Sequence, residues 1–312
     1  MKKSYIVDST CNDMRIDRWI RLVLGKVPQG LIEKNLRSGN IKLNKRKIRS
    51  SHKVKTKDKI DLFNISFKEN IIQKKIKFEP TKEIIKSNED QIIDNNENFI
   101  VINKSSGISV QGGTKSKKNL VDIFTKSDVF KNTKPYSVHR LDKETSGVMV
   151  VAKTEKAYYS LVDQFANRTT GKLYQALICG HPRLRKGEVS LPIGRHPKVR
   201  TKMAVVEKGG KPAHTQWNLI SLYAEKFALV ECRILTGRTH QIRVHMSSLN
   251  HPLAGDSTYG YKASKKGGIH FPRIMLHARI LSFTHPQSGE ELSFSAEVPE
   301  DFQEALSALA PL

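Results

Sequence analysis

The feature that most constrains this chain is an apolar run that directly follows a cluster of charged residues. The run, Val148–Ala152, is rich in β-branched side chains, which is typical of a buried strand. The segment before it, 139–147, reads His-Arg-Leu-Asp-Lys-Glu-Thr-Ser-Gly. Charged groups are costly to bury without partners, so we expect this cluster to line a cleft at the end of the strand. Asp142 is the carboxylate that we predict to carry chemistry there.

Length and composition limit the class of protein. The 312 residues allow about two domains, and a hydrophobic content of 38% suits ordinary globular cores. No apolar run is long enough for a transmembrane helix, and the basic N-terminus lacks the apolar segment of a secretory signal. Cys11, Cys179 and Cys232 are widely spaced and odd in number, which argues against a disulfide framework and a CxxC metal site. We therefore expect a cytoplasmic protein with no membrane contact, acting as a monomer.

The charge balance predicts a polyanionic partner. The net charge is +24, from 54 Lys plus Arg against 30 Asp plus Glu. A solvated lysine-rich surface with no binding role is the alternative. Between residues 42 and 59 the only acid is Asp58, whereas the basic side chains there include Lys45, Arg46 and Lys47. An excess this dense favours a phosphate-binding face.

Residues 14–77 are predicted to form a small basic domain. Apolar residues recur at helical spacing, and Gly39 follows the second helix as a C-cap. The predicted elements are helices over 16–24 and 31–38 and strands over 41–44 and 59–63. The polar, locally acidic segment 78–98 has no clear period and is predicted to be a linker.

Residues 99–312 are predicted to form a second domain of mixed strands and helices. The predicted strands are 99–103, 148–152, 172–180, 227–235 and 274–283, and the predicted helices are 155–165, 238–249 and 299–309. A long basic connection over 181–214 separates two of these strands. Such a connection inside a compact domain is more often functional than idle.

Two motifs in the second domain carry a resemblance to a known family. The first is segment 139–147, and the second, over 237–245, reads Gly-Arg-Thr-His-Gln-Ile-Arg-Val-His. In this order they resemble the RluA family of pseudouridine synthases, and the domain in front resembles the S4 RNA-binding domain. The resemblance implies an α+β fold, with a mixed, largely antiparallel sheet flanked by helices in the catalytic domain. It also implies an isomerase that acts on uridines of 23S rRNA, free or in a ribosome assembly intermediate.

The resemblance also implies roles for particular residues. Asp142 matches the catalytic aspartate that is essential for breaking the N1–C1′ bond and rejoining C1′ to C5. Tyr174 matches the catalytic tyrosine that stacks on the target base and can help to remove the C5 proton, and Arg243 matches the arginine that pairs with the aspartate. Arg140 matches the side chain that fills the gap left by the flipped base. The residues predicted to contact base or RNA are Arg140, Ile242, Leu276, Arg238, Lys45, Arg46 and Lys47.

The chemistry suits these residue types. Cleaving a glycosidic bond builds positive charge on the sugar, which one carboxylate can stabilise or trap. A hydrolase usually needs a second carboxylate to place water, and Glu144 in the motif leaves that reaction possible. An isomerase must instead exclude water, and the uridine must be flipped out to reach it. The reaction is redox-neutral, so we predict no cofactor. Whether Asp142 attacks the sugar, attacks the base or removes a proton stays open.

Two other functions remain compatible with these patterns. One is an RNA-binding or ribosome-assembly factor with an inactive site, and the other is a nucleosidase or base-excision hydrolase. Asp142 could also be a structural ion-pair partner of Arg140 or Arg243. The histidines of the two motifs lack a closed ligand set, so no metal site is predicted. Arg238 fits either a phosphate contact or a scaffold role.

Overall fold

A computed structural model describes residues 2–25, 27–63, 78–112, 118–199, 201–262 and 269–312. The chain forms two compact units, Met1–Ile76 and Lys77–Leu312. The end of the first predicted domain, over 64–77, lies outside the described residues. No helix in these ranges is long and apolar enough to cross a membrane.

The first unit packs two short helices against a small antiparallel sheet. Its elements are β1 (Lys2–Ile6), β2 (Met14–Arg15), α1 (Ile16–Leu24), α2 (Gln29–Ser38), β3 (Ile41–Leu43), β4 (Lys53–Val54) and β5 (Lys59–Phe63). The sheet order is β1-β5-β3, and β2 pairs with β4. Trp19 and Ile32 are buried in the core between helices and sheet. Gly39 ends α2 in the left-handed conformation, as predicted.

The predicted start of this domain at residue 14 is wrong, because β1 precedes it. Strand β1 runs antiparallel to β5, with Lys2 opposite Phe63 and Ile6 opposite Lys59. Four of its five residues are exposed. A strand that buries so little side-chain surface shows no apolar alternation, which is why the sequence does not reveal it.

The second unit is built on one large sheet. The elements before its long basic connection are α3 (Lys82–Glu89), β6 (Ile92–Asn95), β7 (Phe99–Lys104), α4 (Leu120–Phe124), β8 (Tyr136–Ser137), β9 (Ser146–Ala152), α5 (Glu155–Asn167) and β10 (Gly171–Cys179). Three short strands lie within this connection, β11 (Lys186–Val189), β12 (Ile193–Arg195) and β13 (Met203–Val205). The elements that follow it are β14 (Thr215–Tyr223), β15 (Phe227–Ile234), α6 (Gln241–Ser248), β16 (Leu276–Thr284), β17 (Glu291–Ser295) and α7 (Glu300–Ser307).

The sheet confirms the predicted fold class. Its order is β11-β14-β15-β10-β16-β9-β7-β6, with β17 added on β16 and β8 on β9. Among the described strands of this sheet, β9 and β16 form the one parallel pair, and the other pairs are antiparallel. Strand β9 lies inside the sheet and is buried along its whole length, as its apolar run predicts.

The structure contradicts the linker predicted over 78–98, because α3 and β6 lie within it. Thr81 caps α3, and its hydroxyl accepts the amide of Ile84 at 3.5 Å. Strand β6 then pairs with β7 at the edge of the large sheet. The prediction fails here because an edge strand with one half-buried face needs few apolar residues.

The helix predicted over 238–249 begins later than expected. The first residue of α6 is Gln241, because His240 has a φ of 58° and cannot continue a right-handed helix. The Gln241 side chain holds the preceding turn, accepting from the amide of Arg238 at 3.0 Å and the hydroxyl of Thr236 at 2.7 Å. Residues 238–240 therefore form a turn that leads into the helix.

Gly147 brings strands β9 and β16 together at their shared end. A Cβ atom at this position would lie 2.2 Å from the carbonyl oxygen of Ala278, and the φ of Gly147 is 117°. Both the space and the backbone conformation therefore require glycine. The close approach places the loop before β9 directly against β16.

A buried histidine joins the same two strands. His277 is fully buried, its Nδ1 accepts from the hydroxyl of Ser146 at 2.9 Å, and its Nε2 donates to the carbonyl of Ala296 at 3.1 Å. Burial lowers the pKa of His277 to about 4, although the hydrogen bond to Ala296 opposes this shift. The ring is therefore neutral at pH 7.

We predict that the second unit loses stability as the pH falls from 6.5 towards 4. The unfolded state binds a proton at His277 first, so the free energy of unfolding falls by about 2 kcal/mol between pH 7 and pH 5. Urea unfolding of the Trp19→Phe variant at each pH measures this free energy, because the remaining tryptophan, Trp217, lies in the second unit and its fluorescence reports on that unit. His277→Gln should flatten this dependence, whereas the exposed His270→Gln should not. If the free energy of unfolding depends on pH as steeply in His277→Gln as in the wild type, the prediction is wrong.

Candidate active site

Three neighbouring strands and one helix deliver the predicted catalytic residues to one place. Tyr174 on β10 lies opposite Ala278 on β16, which in turn lies opposite Gly147 on β9. Asp142 is in the loop that enters β9, and Arg243 is in the first turn of α6. Residues that are distant in sequence are therefore neighbours at one end of the sheet.

Asp142 and Arg243 form the centre of the site. Arg243 Nη1 donates to Asp142 Oδ2 at 3.2 Å. The Asp142 side chain is 15% exposed and that of Arg243 is 7% exposed, so the pair is shielded but open to a ligand.

Asp256 holds Arg243 from the other side. Arg243 Nε donates to Asp256 Oδ2 at 2.7 Å, and Nη2 donates to Asp256 Oδ1 at 3.1 Å. Burial disfavours the charge of Arg243, but Asp256 and then Asp142 outweigh it and raise its pKa. This bidentate pair fixes the plane of the guanidinium and leaves Nη1 for Asp142. The sequence does not single out Asp256, because it stands in a loop segment, 255–260, that contains turn-forming residues and no motif.

His240 is the third side chain near the carboxylate. Its Nε2 lies 3.8 Å from Asp142 Oδ2, the same oxygen that accepts from Arg243. Burial lowers the pKa of His240, with Asp142 opposing the shift. Asp142 Oδ2 is therefore flanked by two nitrogens, whereas Oδ1 is left for other contacts.

A cleft of about 80 Å³ with one apolar wall opens beside Asp142. Tyr174, Ile242 and Leu276 line it, and each is at most 9% exposed. Burial, and then the nearby charge of Asp142, raises the pKa of Tyr174, so the phenol is neutral. An apolar wall that includes one aromatic ring, with a single carboxylate among the polar residues opposite, suits a flat base. The structure thus brings together the three residues predicted as base contacts.

Glu144 lines a different cavity from the cleft. It lines a larger cavity of about 590 Å³ that adjoins the cleft at Asp142, and it is not among the residues that line the cleft itself. The Glu144 side chain is 40% exposed and lies 3.8 Å from Lys143 Nζ. The described lining of the cleft therefore contains one carboxylate, Asp142. This arrangement disfavours the hydrolase that needs a second carboxylate beside the base.

The two arginines predicted to contact RNA differ in their surroundings. Arg140 is exposed and lines both the cleft and the larger cavity. Arg238 also lines the cleft, but its Nε donates to the carbonyl of Pro212 at 2.9 Å. Arg238 therefore has a scaffold contact, whereas Arg140 is placed to reach a ligand.

The other motif histidines have structural partners. His139 stacks on Phe165 with ring centroids 4.4 Å apart, and its Nε2 accepts from the amide of Val150 at 3.1 Å. His245 bonds the hydroxyl of Thr215 and the carbonyl of Leu191, each at 2.9 Å. Across the described ranges, no group of three His, Cys, Asp or Glu side chains could hold a metal ion.

The predicted phosphate contacts lie in the first unit. Lys45, Arg46 and Lys47 follow β3 in a turn and are all exposed. Their charges therefore face solvent, where a polyanion could reach them.

Comparisons with known proteins identify the class. The RNA pseudouridylate synthase family matches residues 98–248. Ribosomal large subunit pseudouridine synthase D of Zymomonas mobilis is 41% identical over 68% of this chain and 70% of its own length. Ribosomal large subunit pseudouridine synthase C of Vibrio parahaemolyticus is 29% identical over 97% of this chain and 95% of its own. The solved structure of human RNA Pseudouridylate Synthase Domain Containing 4 has a TM-score of 0.60 and 28% identity, covering 72% of this chain and 95% of its own.

The chain belongs to the RNA pseudouridylate synthase family. It is an isomerase of the RluA type, as the two motifs predict. The proteins named synthase C and synthase D are both among its relatives.

We predict that Asp256→Asn slows pseudouridine formation by about tenfold or more. The substitution removes a charged acceptor from Arg243, so the guanidinium no longer holds Asp142 in place. Single-turnover assays on transcribed ribosomal RNA, with circular dichroism to verify folding, test this. Glu297→Gln is the matched control, since Glu297 pairs with Arg279 on the surface. A wild-type rate in folded Asp256→Asn would contradict the prediction.

Proposed function

We propose that this enzyme converts specific uridines of 23S rRNA to pseudouridine, using Asp142 in a base-flipping site. The observation that carries the proposal is that Asp142, held by Arg243 at 3.2 Å, is the one carboxylate in the described lining of a cleft with an apolar wall. A cleft with one carboxylate and no second one in its described lining suits isomerisation, in which the cleaved base must be retained and water kept out.

The RNA substrate is supported by the relatives and by charge. Proteins named ribosomal large subunit pseudouridine synthase match most of this chain. The net charge of +24 favours a polyanion, and the exposed Arg140 lies at the mouth of the cleft. We propose that the substrate is 23S rRNA in the cytoplasm, free or in an assembly intermediate, and that a monomer acts on it without a cofactor.

The proposed reaction gives a step to each of several side chains. A uridine leaves its stack and enters the cleft, and Arg140 fills the space left in the RNA. Tyr174 stacks on the uracil ring. Its phenol is neutral, so it suits this role better than the role of a general base that removes a proton. With Asp142 as the essential group, the N1–C1′ bond breaks and C1′ joins C5. The C5 hydrogen then leaves as a proton and N1 gains one, so the product has the mass of the substrate.

The first unit is proposed to bind RNA as an S4-like domain. Its exposed Lys45, Arg46 and Lys47 provide a local positive surface next to two short helices. Phosphate contacts of this kind add affinity without reading sequence. Choice of uridine then depends on RNA shape around the target.

We predict that Asp142→Asn forms no detectable pseudouridine and binds 23S rRNA with wild-type affinity. The amide keeps the shape of the carboxylate but not its charge, so recognition survives and chemistry does not. Modification detected by nucleoside analysis in this variant would overturn the assignment. An inactive wild type would support the assembly-factor alternative, and released uracil would support the hydrolase.

We predict that replacing Lys45, Arg46 and Lys47 together by alanine weakens RNA binding and flattens its salt dependence. Removal of one phosphate-binding cation reduces the slope of log affinity against log salt by about 0.7 to 0.9. Filter binding over roughly 50 to 300 mM salt, a range in which such slopes are steep, measures this change. Asp142→Asn is the control and should keep the wild-type slope. An unchanged slope in the triple variant would show that this surface does not bind phosphate.

A further inference from the structure

The backbone of His240 is held in an uncommon conformation at the mouth of the cleft. Its φ of 58° and ψ of 25° lie in the left-handed region, immediately before α6. Residues other than glycine are rare there and persist only where their surroundings hold them. Strain of this kind in a site makes the side chain that it directs a candidate for function.

The ring of His240 lies between Tyr259 and Asp142. Its Nδ1 is 2.7 Å from the hydroxyl oxygen of Tyr259, and its Nε2 is 3.8 Å from Asp142 Oδ2. The Tyr259 hydroxyl oxygen also accepts from the amide of Met203 at 2.9 Å. These contacts form a chain that runs from the Met203 amide through the Tyr259 hydroxyl and the His240 ring to the Asp142 carboxylate.

The contacts around Tyr259 favour one tautomer of a neutral His240 ring. Because the amide of Met203 can only donate, the Tyr259 oxygen is the acceptor in that bond. Among the described residues, His240 Nδ1 is the acceptor within reach of the Tyr259 hydrogen. A neutral ring that accepts at Nδ1 carries its own hydrogen on Nε2, which faces Asp142.

The charges around His240 keep the ring neutral. Burial lowers its pKa, and Arg243 and Arg140 lower it further, whereas Asp142 and Asp256 oppose the shift. A neutral ring can donate from Nε2 and still accept at Nδ1. A protonated ring would lose the bond from the Tyr259 hydroxyl.

We propose that His240 is a positioning residue, oriented by Tyr259, whose Nε2–H donates to Asp142 Oδ2 and leaves Oδ1 for the substrate. Nothing in the motif resemblance assigns this role to either residue. At 3.8 Å the contact is longer than a hydrogen bond, as contacts in substrate-free sites commonly are before the ligand tightens them. The effect of His240 on the reaction at Asp142 rests on the proposed function. The tautomer of His240 does not depend on that function.

Tyr259 contacts Arg243 with its ring and His240 with its hydroxyl, and a substitution can separate these two contacts. Its ring lies under the Arg243 guanidinium, with Arg243 Cζ 4.9 Å from the ring centroid. Tyr259→Phe keeps this packing and removes the hydroxyl alone. Tyr261→Phe is the matched control, because Tyr261 is in the same loop and its hydroxyl donates to the carbonyl of Ile269.

The kinetic experiment measures tritium release from a 23S rRNA transcript labelled at uridine C5, with RNA affinity measured separately. We expect His240→Ala to lower the single-turnover rate about 10- to 100-fold at unchanged affinity. We expect His240→Gln to recover most of the rate, because its carboxamide N–H can replace Nε2–H. Tyr259→Phe should slow the wild type but have no further effect in His240→Ala.

Three kinetic results would overturn the proposal. These are a wild-type rate in His240→Ala, an equal loss in His240→Ala and His240→Gln, and a Tyr259→Phe effect that is undiminished in the His240→Ala background. The Tyr261→Phe control should keep the wild-type rate.

A second measurement decides the proposal without activity. In protein labelled with ¹⁵N-histidine, the His240 signal is identified by its loss in His240→Gln. We expect the Nε2–H tautomer at neutral pH and a loss of this preference in Tyr259→Phe. The Nδ1–H tautomer in the wild type would overturn the proposal even in an active enzyme. Absence of tritium release from the wild type would instead count against the proposed function.

Discussion

The site depends on one guanidinium that is shared by two carboxylates. Arg243 is nearly buried, and a buried cation without partners would be strongly destabilising. Asp256 takes two of its nitrogens in a bidentate pair, and Asp142 takes a third. Asp256 therefore compensates the buried charge, so that Arg243 can hold Asp142 while that carboxylate stays accessible. Removing either partner changes the electrostatics of the other.

The sheet provides the rigidity that this sharing needs. Strands β10, β16 and β9 are neighbours, and Gly147 lets β9 approach β16 so closely that any side chain would collide with Ala278. The loop before β9 is thus tied to the strand that supplies Leu276. Asp142 and the apolar wall of the cleft are therefore connected through this strand pair.

Strong local patterns predicted much of the fold. The apolar run at 148–152, the helix from 155 and Gly39 at the end of α2 all appear as predicted. Edge strands were not predicted, since β1 and β6 bury little surface and show weak alternation. The helix of the second motif began later than predicted because tertiary contacts hold His240 in a left-handed conformation.

The same division applies to the site. The sequence by itself determined the family, because two specific motifs in a fixed order name Asp142 and Arg243, and a third short match names Tyr174. Only the tertiary structure decided that Asp256, Tyr259 and His240 surround them, because these contacts link a turn, a loop and a helix start that have no common sequence period. Local sequence encodes what a segment prefers to be, whereas a buried charge is satisfied by whichever partners the fold brings to it.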